Sequence, residues 1–122
     1  MRVVKAIFLI AGVYGVVLVT PLYFMEQRIG EDYPPPITHP EYFYGFVGTV
    51  LAWQLMYLLI GTDPVGYRKC MLLAVAAKAS FAAAAAALFS LGRIPSIMFA
   101  LAMIDAVLAM FFMLAWFQTP RA

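Results

Sequence analysis

Apolar residues gather into four long runs along this chain, at about residues 3–25, 42–60, 70–91 and 97–117, separated by short polar segments. Each run is close to the ~20 residues that a helix needs to cross a ~30 Å hydrocarbon layer. The pattern predicts an all-α fold: an integral membrane, up-down-up-down bundle of four transmembrane helices with short loops, forming one domain over residues 1–122. The connections are too short for a soluble domain, so any chemistry must sit inside the bundle or at its rims.

The connections carry the signals that stop and restart helices. In EDYPPPITHPEYFYGF, Glu31–Phe46, Pro34, Pro35 and Pro36 read as a stiff extended strap that leaves no N–H unsatisfied. Thr38 and Glu41 have capping-box spacing, with Pro40 in the first turn of the next helix, and Tyr42, Phe43, Tyr44 and Phe46 follow at interfacial depth. GTDPVGYRK reads the same way, Gly61 closing the second helix, Asp63 serving as N-cap and Pro64 as first helical residue; Gly92 and Pro95 take equivalent roles in LGRIPS. None of these loops has a phosphate-cradling glycine pattern.

Composition fits this picture: 66% of residues are hydrophobic and 11% charged, against roughly half and a quarter in ordinary globular domains. The basic start MRVVK resembles a secretory signal, but the run continues through large residues with no small-residue cleavage site, so the segment is expected to be retained. Arg2, Lys5, Arg68, Lys69 and Arg121 fall on one side of the four spans, and Arg28 and Arg93 on the other. Because positive flanks resist translocation, both termini are expected in the cytoplasm, with Glu31–Phe46 outside. The expected location is the bacterial cytoplasmic (inner) membrane, in multi-pass form. A net charge of +2 without a basic cluster argues against nucleic acid as a partner. The single cysteine, Cys70, excludes an internal disulfide, a CxxC pair and a cysteine zinc cage, and reads as a small apolar filler.

Chemistry concentrates in two places. At the outer rim, His39 with Glu26, Glu31, Asp32 and Glu41 matches no metal motif, and reads as a solvated rim or a surface for an outer partner, so no metal or other cofactor is expected. Inside the spans stand Lys78 and Asp105, at estimated depths of about 12 and 18 Å from the inner side, a difference a lysine side chain can bridge. A lone charge near the bilayer centre costs about 2.5–3.5 kcal/mol on insertion scales, so the two are expected to face inward and pair. Gln54, at about 9 Å depth, extends the cluster, and Tyr57 shares its helical face. This polar site is either a pin fixing helix register or part of a proton, ion or substrate path.

The alanine run Ala82–Ala87 presents small residues on every face, which predicts a central third helix touching several neighbours or a second protomer. Met and Phe in the fourth span either fill gaps and face lipid or line an apolar ligand pocket. No nucleophile or cofactor motif is visible, so no enzymatic activity is expected. The expected role is a non-catalytic membrane protein binding a lipid-like molecule or a membrane protein partner, with membrane lipids around it and a homo-oligomer as one option. The alternative is a small transporter or channel working as an oligomer through Lys78 and Asp105. In size and span number the chain is similar to the small multidrug resistance family, whose membrane-embedded glutamate in the first helix has no counterpart between Lys5 and Glu26, and to the DoxX-like group of four-span bacterial membrane proteins. The likeness extends to size and span number alone.

Overall fold

The computed structural model describes residues 1–121. Among these residues the chain forms five α-helices and no strand: α1 (Arg2–Val19), α2 (Glu26–Asp32), α3 (Pro40–Thr62), α4 (Arg68–Ser90) and α5 (Ser96–Gln118). A 3-10 turn, Thr20–Phe24, continues α1. Four of these segments, Arg2–Phe24 and the helices α3, α4 and α5, are long and apolar enough to cross a membrane.

Several boundaries differ from the sequence reading, each for a local reason. Pro21 has no N–H for an i→i−4 bond and its ring crowds the carbonyl four residues back, so α1 gives way to the tighter 3-10 turn there. The polar stretch then begins with a helix rather than a strap: α2 forms over Glu26–Asp32, and Gly30 lets the proline segment lie against it, since a Cβ there would meet Pro36 Cα at 3.1 Å. No capping box forms, because α3 starts at Pro40 with His39 as N-cap, one residue later than the spacing of Thr38 and Glu41 requires. Asp63 does not cap a helix N-terminus. It ends α3, its Oδ1 accepts from the Gly66 N–H at 3.1 Å, and α4 begins only at Arg68. Gly61 is inside α3, and Pro95 is an N-cap preceding Ser96. At Gly92 the expectation holds: with φ +69 it closes α4 through Gly92 N–H to Phe89 O (3.0 Å) and Arg93 N–H to Leu88 O (2.8 Å), the paired bonds of a Schellman cap.

The helices follow one another round the bundle in the order α1, α3, α4, α5, and contact is closest within two pairs, α1 with α3 and α4 with α5. Glycines bring the first pair together: a Cβ at Gly61 would lie 2.7 Å from Leu9 Cδ2, and one at Gly12 2.6 Å from Leu58 Cδ2. Further along, Gly48 meets Tyr23, so partners on α1 are met in reverse order along α3. In the second pair Lys78 meets Asp105, Phe89 stacks on Phe99 with centroids 4.4 Å apart, and Arg68 Nε donates to Thr119 O at 2.8 Å. Within the chain the alanine-rich α4 therefore packs chiefly on α5, with a thinner contact to α3, rather than on several neighbours.

The seams between the pairs are thinner and unequal along their length. At the end carrying the termini, Val4, Phe8, Tyr57, Ile60, Met71 and Phe112 form one buried cluster drawn from all four long helices. Phe8 stacks on Phe112 at 4.5 Å, and Phe112 meets the Tyr57 ring at 4.9 Å. Toward the end carrying α2 a space lies between the pairs. Large apolar side chains also cover the outside, among them Ile10 at 67%, Val17 at 68% and Met110 at 68% exposure.

Candidate functional site

Between the two pairs is a cavity of about 370 Å³, lined from all four long helices and the 3-10 turn. Its walls are largely apolar, including Leu18, Leu22, Phe46, Phe81, Met98 and Leu101. Its polar lining comprises Lys78, Asp105, Gln54 and Tyr57, joined by Tyr14 and Ser80. The four residues that the sequence singled out thus line one space.

Lys78 lies in the middle of α4, and its Nζ donates to Asp105 Oδ1 across the α4–α5 contact at 3.1 Å. The lysine side chain is 8% exposed and the aspartate 21%, so the carboxylate has the freer access to the cavity. Nζ also lies 5.4 Å from the centroid of the Tyr57 ring, within cation–π range. Tyr57 is buried between Phe112, Trp53 and this ammonium, which links the polar lining to the apolar cluster beneath it.

Gln54 completes the site from α3. Its Nε2 donates to Val50 O one turn back at 2.9 Å, which holds the amide close to its own helix. Among the described residues, no donor reaches its buried Oε1. This is uncommon, since buried polar side-chain atoms nearly always have a hydrogen-bond partner. The amide can sit there because residue 15 is glycine: a Cβ at that position would collide with Gln54 Oε1. Gly15, Tyr14 and Trp53 are site residues that the sequence reading did not select. Two glycines three apart, Gly12 and Gly15, in an otherwise bulky first span were the available signal.

The outer cluster is not a single site. His39 Nδ1 is 3.0 Å from Glu41 Oε1 and its ring stacks on Tyr42 at 4.8 Å; Arg28 pairs with Asp32 at 3.6 Å; Gln27 donates to Glu31 at 3.1 Å; the Tyr44 hydroxyl donates to Glu26 at 3.5 Å. The acids are taken up in local pairs, and no set of three metal-ligating side chains comes together among the described residues. Cys70 is half-buried beside the apolar cluster.

Comparison of the chain with protein-family models, with curated proteins and with solved structures finds no match, so the functional reading rests on the geometry of this cavity.

Proposed function

We propose that the protein is a non-catalytic, multi-pass membrane protein that binds a lipid-like molecule in the cavity between its two helix pairs. Four apolar helices of membrane-spanning length, the reversed contacts within each pair and the apolar exterior support an up-down-up-down bundle embedded in lipid. The lysine and arginine asymmetry supports cytoplasmic termini and an outward α2. The bacterial inner membrane is the proposed location, on the likeness in size and span number to small four-span bacterial families.

The observation that carries the binding reading is the cavity: apolar walls converging on a few polar groups, with a volume within the ~300–1,000 Å³ usual for ligand pockets. A space of that volume, walled by apolar side chains from all four long helices, suits an aliphatic chain or a small ring.

Native mass spectrometry of the detergent-extracted protein tests this. The wild type should retain a lipid-like molecule near one per chain, and Ala77→Phe, which fills the cavity from α4, should lose it. A wild type that retains nothing, or a filled variant that retains as much, overturns the proposal.

The position of Lys78 and Asp105 on the cavity lining favours a second reading, a small oligomeric transporter or channel using that pair. Flux of protons, ions or an amphipath through proteoliposomes, abolished in a stable Lys78→Met/Asp105→Leu variant, would decide for it.

A further inference from the structure

Resting on the proposal that the cavity takes a lipid-like molecule, we infer that the occupant is uncharged and that its polar end is a hydroxyl group, received by Gln54 and the Lys78–Asp105 pair. Charge balance comes first. Lys78 and Asp105 neutralise each other at 3.1 Å, and among the described lining residues there is no further lysine, arginine, aspartate or glutamate to balance a charged headgroup. A carboxylate or ammonium entering this largely apolar space would be left unpaired, the most costly condition for a buried group.

Hydrogen-bonding capacity narrows the class further. The Gln54 oxygen is an acceptor without a donor, and the freer carboxylate of Asp105 offers lone pairs beyond the one that Lys78 uses. The lysine ammonium has three N–H donors, of which Asp105 Oδ1 takes one. The ammonium donors and the carboxylate acceptor face the same small space, and the Gln54 amide lies in its wall against Gly15. A hydroxyl satisfies both kinds at once, because its oxygen donates one hydrogen bond and accepts others. An ester or ketone end, which accepts only, would leave the Gln54 oxygen as it is. The terminal torsion of glutamine has a broad minimum, so Oε1 can turn from Gly15 toward an arriving donor, exchanging the Nε2 bond to Val50 O for one to the occupant.

A matched series of one tail and three headgroups tests the inference: dodecanol, dodecanoate and dodecylamine, offered together at equal concentration to the full-length protein in detergent and read by native mass spectrometry. The wild type should retain the alcohol over the other two by roughly tenfold, the equivalent of one well-placed hydrogen bond. Gln54→Met, which keeps the length and removes the acceptor but leaves the charge balance, should lower that preference severalfold without abolishing it. Gln54→Glu provides a readout that a purely structural residue would not move: a third charge beside the pair should shift the preference to the amine. Equal retention of all three, preference for the acid or amine by the wild type, or an alcohol preference indifferent to both Gln54 variants overturns the headgroup inference while the cavity reading stands. Retention of none, in a folded protein, overturns both.

Discussion

Removing the ion pair in halves and as a whole gives the most decisive test of how the bundle treats charge. Asp105→Leu leaves an ammonium on a side chain 8% exposed, in the middle of an apolar helix. A stranded charge near mid-bilayer costs about 2.5–3.5 kcal/mol. The Tyr57 ring 5.4 Å away offsets part of this, about 0.5–1 kcal/mol for a cation–π contact. A loss of about 1.5–3 kcal/mol should result. Lys78→Met leaves a carboxylate on a side chain 21% exposed at the cavity, where water can reach it, so its loss should be smaller, about 1–2 kcal/mol. The double variant replaces both groups with apolar side chains of similar size and should lie within about 1 kcal/mol of wild type. The coupling is then about 3 kcal/mol, several times the ~0.6 kcal/mol average of interhelical hydrogen bonds in membranes. Unfolding by sodium dodecyl sulfate in mixed micelles, followed by tryptophan fluorescence, measures all four proteins. If the two single losses add to within ~0.5 kcal/mol in the double variant, the charges do not interact and the reasoning is refuted.

Three further outcomes are expected. Gly61→Ala should destabilise by about 1–3 kcal/mol, because its Cβ would meet Leu9 at 2.7 Å, whereas Gly45→Ala meets nothing within 4 Å and should be neutral or stabilising by up to about 1 kcal/mol; the same unfolding titration compares them. Phe112→Ala, which loses its contacts with Phe8 and Tyr57, should cost at least about 2 kcal/mol more than Phe111→Ala, whose ring is 46% exposed, and equal losses would mean that the cluster does not join the pairs. Asp32→Cys should react with an impermeant thiol reagent on intact cells; labelling only after the inner face is opened would reverse the proposed orientation.

The long helices were legible because a span is a one-dimensional property: twenty apolar residues identify it whatever surrounds them. Lys78 and Asp105 were legible as neighbours for a related reason, since depth along a helix is arithmetic and both residues need a partner at similar depth. Helix ends were read less well. Thr38 and Glu41 satisfy a local capping rule, but Pro40 at the first helical position makes His39 the cap instead, and α2 is too short to show an apolar run. The cavity was legible only as one option for the Met and Phe of the fourth span, because its existence depends on which faces meet across the two pairs. The same limit explains α4: six alanines permit close packing on every side but do not say which side has a neighbour.

The uneven packing within and between the helix pairs bears on how the molecule is built during synthesis. The chain from Met1 to Thr62 already holds both members of the first close pair, and the chain from Arg68 to Gln118 holds both members of the second. In the membrane-embedded bundle proposed above, each half can therefore zip up as a hairpin from its own contacts before the other half has left the ribosome. Joining the halves requires chiefly the Phe8, Tyr57, Met71 and Phe112 cluster near the termini, a short-range docking of two finished pieces rather than an intertwining of four strands of chain. The Asp63–Tyr67 turn that connects them is then a tether more than a structural member, and for the proposed membrane bundle two halves synthesised as separate polypeptides are expected to assemble.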